Sequence, residues 1–210
     1  MKKFFICLSI FLFSTFCFAN KPLFTGSLGI STSLPVYGSE QIKQVNDYYF
    51  NNDGNRIIVG TSARLELNAI NPFVLFVDAD LNMDFNFSDQ QFFHMMDLAF
   101  TGGMKFYPGL GGFAFGIGYS IGTRFDFYKD LSDIFSETED SSENVEVINS
   151  EKGEIDKNDW GNGFKLFLEY DFSYNSSYRF LPTLGVSWRL MPRGNNFYDN
   201  IFSFYLMMNF

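Results

Sequence analysis

The chain has 210 residues and a formal net charge of −9; 20% of its residues are aromatic, 29 of them Phe, against 19% charged. That length suits one domain. The aromatic load is heavy for a water-soluble one, because every Phe needs an apolar place to go, and lipid is such a place. The acidic balance argues against nucleic acid as a partner, since that requires a basic footprint.

Residues 1–19 read as a cleaved signal peptide. Lys2 and Lys3 form a positive start, Phe4 to Phe13 an apolar run, and Cys17-Phe18-Ala19 ends on a small residue before Asn20. The apolar run is short for a spanning helix. Both cysteines, Cys7 and Cys17, lie in this leader, so the mature chain, residues 20–210, has no disulfide and no thiolate metal site. Phe16 before Cys17 argues against lipidation there. Loss of Lys2 and Lys3 takes the charge from −9 to −11.

Beyond the leader no run is long and apolar enough for a membrane helix. Strict alternation, the period of a strand, recurs instead. Phe24 to Val36 sets Phe24, Leu28, Ile30 and Leu34 against Thr25, Ser27, Ser31 and Ser33. Val59 to Ala69 sets Val59, Ala63, Leu65 and Leu67 against Ser62, Arg64, Glu66 and Asn68. The clearest case is Phe73 to Phe87, with apolar odd positions and Asp78, Asp80, Asn82, Asp84 and Asn86 at even ones. Met96 to Phe106 sets Leu98, Phe100 and Met104 against Asp97, Thr101 and Lys105. Phe113 to Phe127 sets Phe115, Ile117, Tyr119, Ile121 and Phe125 against Gly116, Gly118, Ser120, Gly122, Arg124 and Asp126. Phe164 to Tyr174 sets Leu166, Leu168, Tyr170 and Phe172 against Lys165, Glu169, Asp171 and Ser173. Phe180 to Leu190 sets Leu184, Val186 and Trp188 against Thr183, Gly185, Ser187 and Arg189, and Ile201 to Phe210 closes the chain.

Eight such segments predict an all-β fold, an eight-stranded antiparallel up-and-down transmembrane β-barrel. The connections alternate. Short turns are expected at Asn71-Pro72, Tyr107–Gly112 and Asn175–Tyr178, and longer outer loops at Gly38–Arg56, Ser88–Met95, Lys129–Asn162 and Met191–Asn200. A soluble lipocalin-like barrel also alternates, with its apolar side inward. Volume decides against it: an eight-stranded interior only just holds side chains, so the small polar set fits inside and the bulky set outside. Phe113, Phe172 and Tyr174 near one end, and Phe85, Phe87, Phe125 and Phe127 near the other, resemble two interfacial aromatic girdles.

The last residues place Phe202, Phe204, Leu206, Met208 and Phe210 on one face, with Phe210 terminal. This resembles the signal that outer-membrane barrels present to the barrel-assembly machinery. With the leader, the whole chain resembles the small outer-membrane barrels, the group of the OmpA barrel, OmpX, OmpW and the opacity proteins. The resemblance is one of architecture and selects no family within the group. It implies a bacterial outer-membrane location, with outer-membrane lipid and the assembly machinery as partners.

The inward face is expected to carry Arg64, Lys105, Arg124, Lys165 and Arg189 together with Glu66, Asp78, Asp80, Asp84, Asp97, Asp126, Glu169 and Asp171. Turn positions put Arg64 opposite Asp78 and Arg124 near Asp97. Such a set makes either a charge-paired plug or a narrow cation-preferring water path. Gly116, Gly118 and Gly122 are expected to leave room for the Arg and Lys chains; in a strand with no helix after it they make no nucleotide loop. His94, the sole histidine, is expected at the outer rim on the lipid side, away from any nucleophile or carboxylate. Eight-stranded outer-membrane acyltransferases exist, but with one such histidine the chain is not expected to be an enzyme or to hold a cofactor or a histidine-cluster metal. Residues 129–160 carry eleven acidic residues against three lysines, a net −8. This long acidic outer loop suits a solvated segment, a basic partner or weak divalent-cation contact, without calcium-loop spacing. Asp47-Tyr48-Tyr49-Phe50 offers exposed aromatics to a partner. The expected role is structural or surface-interactive through the outer loops; the alternative is a narrow pore through the charged interior.

Overall fold

The computed structural model describes residues 22–37, 56–70, 72–86, 94–128, 155–176, 178, 180–193 and 198–210. The expected leader, the Asp47–Phe50 stretch and most of the four expected outer loops lie outside these residues. Eight strands follow in order: β1 (Phe24–Tyr37), β2 (Arg56–Ile70), β3 (Phe73–Asn86), β4 (Met95–Phe106), β5 (Phe113–Tyr128), β6 (Ile155–Asp171), β7 (Pro182–Pro192) and β8 (Tyr198–Asn209). Each pairs antiparallel with its sequence neighbours, and β1 pairs with β8, so the sheet is a closed barrel.

The register gives the barrel its shape. Ser27 faces Arg64, Arg64 faces Asp78, and the row continues through Thr101, Ser120 and Gly163. The Phe164–Leu190 pair and the Gly161–Arg193 bridge carry it on to Met191, then Asp199, and it returns to β1 at Tyr37. Starting at 27 and returning at 37 is a stagger of ten residues. Eight strands with that stagger tilt about 40° from the axis. Points at one axial level therefore shift by about one and a quarter residues, ten over eight, per strand crossed.

At the end with the short connections, Phe24, Phe73, Phe106, Phe113, Phe172 and Phe210 come to nearly one level on six strands. Their rings and neighbours touch: Phe73–Phe106 at 5.0 Å, Phe106–Phe115 at 5.1 Å, Phe113–Tyr170 and Tyr170–Phe172 both at 4.8 Å. A second row joins Phe164, Trp188 and Phe202 further out. Between the rows the outer face is exposed and apolar, with Leu28, Leu65, Val77, Ile117, Leu166, Val186 and Leu206. The rows stand about 20 Å apart along the axis, close to the roughly 25 Å apolar band of a membrane barrel. The outer face is built for acyl chains.

The short connections are tight. Tyr107 donates its N–H to the Pro72 carbonyl at 3.0 Å. Gly112 has φ 116°, a conformation only glycine takes freely, and its carbonyl accepts the Asp171 N–H at 2.9 Å.

Several boundaries differ from expectation: β2 starts at Arg56 rather than Val59, β8 at Tyr198 rather than Ile201, and β7 runs over Pro182–Pro192 rather than Phe180–Leu190. β6 starts at Ile155, so residues 155–160 are strand rather than the end of the acidic connection. Asp159 and Lys157 pair with Arg124 and Asp126 across the β5–β6 ladder, which keeps the period running past the apolar band. Tyr174, expected on the outer girdle, is buried against Tyr107, because the chain turns inward after Asp171. A charge on the lipid face should report the band: Leu166→Arg, mid-band, is expected to cost about 2–4 kcal/mol and Asn162→Arg, at its edge, about 0–1 kcal/mol, measured by reversible urea unfolding in vesicles.

Candidate functional site in the barrel interior

The inward positions of the eight strands form one stack of layers. At the turn end Tyr107 stacks on Tyr174 at 4.6 Å, with Val74 and Ala114 buried beside them. The Tyr107 hydroxyl donates to Asp171 Oδ2 at 2.9 Å. Burial, and then the charges of Glu66 and Asp171, hold that phenol well above its ordinary pKa, so it stays a neutral donor. Asp171 Oδ1 accepts the Ser173 N–H at 2.8 Å, its hydroxyl at 2.6 Å and Asn209 Nδ2 at 3.2 Å. Ser27 donates to Asn209 Oδ1 at 2.8 Å across the β1–β8 seam.

The next layer closes the lumen. Arg64 Nε donates to Asp78 Oδ1 and Nη1 to Glu169 Oε2, both at 2.6 Å. Its guanidinium lies among three rings, 4.6 Å from Phe167, 5.4 Å from Phe76 and 5.8 Å from Tyr205. Lys105 bonds Glu66 and, at 2.7 Å, Glu169, and the Tyr205 hydroxyl donates to Glu169 at 2.8 Å. The rings fit because their register partners on the neighbouring strands lack side chains: a Cβ on Gly116 would strike the Phe167 ring, and one on Gly185 the Tyr205 ring. Gly116 and Gly118 were expected to make room for Arg and Lys. They stand against Phe167 and, at Gly118, the edge of Phe76 and Thr101, while Gly122 stands against the β4 backbone.

Above this septum the walls are small and hydroxylated. Thr101 and Ser120 share a hydrogen bond at 2.7 Å, as Ser33 and Ser203 do at 2.8 Å. Lys165 bridges Asp78 at 3.0 Å and Asp80 at 2.7 Å, and Ser62 donates to Asp80 at 2.8 Å. A cavity of ≈ 20 Å³ remains here, lined by Ser31, Ser62, Asp80, Lys165, Arg189 and Ser203 among others. That is room for about one water. Further out, Asp97 receives Arg189 and, at 2.7 Å, Arg193, while Arg124 Nη2 meets Asp126 at 2.7 Å. Asp84 accepts the backbone N–H groups of His94 at 2.9 Å and Met95 at 2.6 Å, where β4 begins.

All the charges named from the sequence are therefore buried inside the barrel. Glu66, Lys105, Glu169, Arg64, Asp78, Lys165, Asp80, Arg189 and Asp97 form one chain of contacts with Arg193, linked by Arg64–Glu66 at 3.7 Å and Arg189–Asp80 at 4.0 Å. Arg64 does face Asp78, and Asp97 does pair in register with Arg124, although its ion pairs go to Arg189 and Arg193. Phe202, Phe204, Leu206, Met208 and Phe210 all face outward, and the Phe210 ring covers Gly26. His94 is not on the lipid side: it is fully buried, just before β4, where Asp84 draws its backbone in. Sequence reasoning missed Phe76, Phe167, Tyr205 and Arg193. The first three held inward parity all along but were named on neither face, because the interior was expected to hold the small polar set. Arg193 sat in a segment read as loop. Among the described residues no His, Cys, Asp and Glu group is placed to hold a metal ion.

No protein-family model and no curated protein matches this sequence. Among solved structures the chain is similar to Ail, the attachment invasion locus protein of Yersinia pestis, at 8% identity over 89% of this chain and 97% of that one, TM-score 0.48. It is similar to Neisserial surface protein A at 8% identity, over 90% and 98% of the two chains, TM-score 0.46. It is also similar to the N-terminal β-barrel domain of OprF of Pseudomonas aeruginosa at 11% identity, over 88% and 97%, TM-score 0.36. The closed eight-stranded architecture is the one the small outer-membrane barrels share, and it rests here on the strand pairing itself.

Removing one partner from the septum should expose its dependence on charge balance. Arg64→Met leaves Asp78 with Lys165 alone, which it shares with Asp80, and takes one of Glu169's two cations; it is expected to cost about 3–5 kcal/mol in unfolding free energy, read from the urea midpoint of the refolded barrel.

Proposed function

We propose that this chain is an integral protein of the bacterial outer membrane, exported through a leader cleaved after Ala19. Its barrel is a closed, non-conducting scaffold that holds surface loops for contact with other molecules. One observation carries the reading: the Arg64 guanidinium, clasped by Asp78 and Glu169, sits among the rings of Phe76, Phe167 and Tyr205 and fills the lumen. A water path needs a continuous wet section, and the cavity described above this layer, ≈ 20 Å³, has room for about one water. The buried charges then act as structure, satisfying one another away from lipid. The terminal face from Phe202 to Phe210 serves as the assembly signal. The scaffold uses no catalytic step and no cofactor.

Conductance tests the closed lumen. The mature chain, refolded into a planar bilayer and checked by its heat-dependent gel mobility, is expected to be electrically silent. Phe76→Gly with Phe167→Gly removes two septum rings and is expected to give discrete current steps. Steps of similar size from the unsubstituted chain would favour the pore reading.

The loops are then the working surface. With a net −8 over residues 129–160, the outer end repels polyanions such as the sulfated sugar that Ail carries in its complex, and attracts basic segments. Deleting residues 130–153 is expected to abolish most capture on an immobilised Lys-rich peptide at low salt while leaving gel mobility folded-like. Equal capture by both chains would move the contact elsewhere.

A further inference from the structure

The outer face is not equally tall all round. Following the shift of one and a quarter residues per strand, Leu34, Met83 and Leu98 on β1, β3 and β4 reach the same level as Thr123, Asn162 and Asn200 on β5, β6 and β8. One step further out, Phe85 on β3 and Met96 on β4 stand level with Trp160 on β6. All these side chains have outward parity. Leu34 is 74% exposed, and Met83, Phe85, Met96 and Leu98 are half-exposed. On the other side Asn158 and Asn162 are exposed, Trp160 is 68% exposed, and Asn200 accepts the Trp188 indole N–H at 3.2 Å. Thr123 donates to Asn158 beside them.

An unbonded amide in hydrocarbon loses several kcal/mol of hydration, roughly 4–8 in the extreme of cyclohexane, whereas Leu, Met and Phe gain by entering it. The two sides therefore set different depths. Tryptophan prefers the boundary itself, with the ring in the apolar layer and the N–H toward polar groups. Trp188 satisfies that on β7 by pointing its N–H at Asn200, the first amide above the apolar row. Trp160 stands further out again, flanked along β6 by Asn158 and Asn162.

We propose that the barrel sits obliquely in its bilayer. Acyl chains climb to Phe85 and Met96 on the β3–β4 side and stop below Asn162 and Asn200 on the β6–β8 side. There Trp160, Asn158 and Asn162 face the headgroup layer, and this amide and indole patch is the surface through which the barrel contacts polar lipid. The step between the two sides is about two residues, or about 5 Å of axial height. This inference rests on the membrane reading above and adds the orientation.

The chain has two tryptophans, Trp160 and Trp188, which makes the test direct. The mature protein is refolded into phosphatidylcholine vesicles with bromine on the acyl chains, and tryptophan quenching is measured. Three variants are compared: Trp188→Phe, in which only Trp160 emits; Trp160→Phe, in which only Trp188 emits; and Phe85→Trp in the chain carrying both replacements. Heat-dependent gel mobility confirms folding of each. Chain bromines are expected to quench Trp188 and the Phe85→Trp chain at least twofold more than Trp160. Equal quenching at 85 and 160, whether both strong or both weak, with Trp188 quenched, would overturn the oblique seating and leave the membrane reading intact. No quenching of Trp188 in a folded chain would overturn the membrane reading itself.

Discussion

Hydrocarbon offers no hydrogen bonds, and that single constraint organises the molecule. Every backbone N–H and C=O at membrane depth must find a partner in the sheet, so the sheet has to close. Closure is made at the β1–β8 seam, where the Gly26 N–H donates to the Phe210 carbonyl at 3.2 Å and the Phe210 N–H to the Gly26 carbonyl at 2.9 Å. Phe210 thus completes the circuit, and its ring lies over a glycine that leaves the space for it. Inside, the same rule applies to side chains. A buried carboxylate must be met by donors, and Asp171, Asp84 and Asp80 are met by hydroxyls, amides, backbone N–H groups and a lysine.

Closure with a stagger of ten leaves an interior too narrow to waste. Its lower half is filled by rings set against glycines and its upper half by serines, threonines and small residues around the Lys165 and Arg189 side chains. Charge alone does not block the lumen; the aromatic rings do, and the charges hold the rings' neighbours in place. Arg64 has both roles, since its two ends bond Asp78 and Glu169 while its flat face lies on Phe167. A lysine there would keep a charge and lose the fork and the plane.

The fold was legible in the sequence because period two is a strong signal when the two faces differ as sharply as Leu81 and Asp80. The inward charges followed from the same parity. Depth was not legible. Alternation tells which face a residue takes and nothing about its level, which comes from a stagger accumulated around eight strands. That is why Asp97 was expected near Arg124, its register partner, while its ion pairs go to Arg189 and Arg193, which lie three strands away around the wall and reach across a narrow lumen. Aromatic bulk misled for a related reason. Phe76 and Phe167 have inward parity, but a narrow interior is expected to hold small polar residues, and the matching glycines, Gly116 and Gly118, lie on another strand. Only the register brings ring and gap together.

On the proposed reading, a plugged barrel leaves contact with other molecules to the segments beyond the strands. Within the wall, the ion pairs are each held by partners on different strands, as Arg64 is by β3 and β6 and Asp97 by β7 and the residue after it. Such cross-links stiffen the cylinder because no one strand can slide without breaking contacts to two others. They contribute little net stability over an apolar filling, since desolvation of the charges offsets their attraction. What they give is a single register: a slip of one residue would turn Asp78 or Lys165 toward lipid, a misplacement far more costly than a lost contact. A rigid, single-register wall fixes the roots of the connections at Tyr37, Arg56, Tyr128 and Ile155 in space. Loop sequence can then vary while the barrel that carries it stays the same.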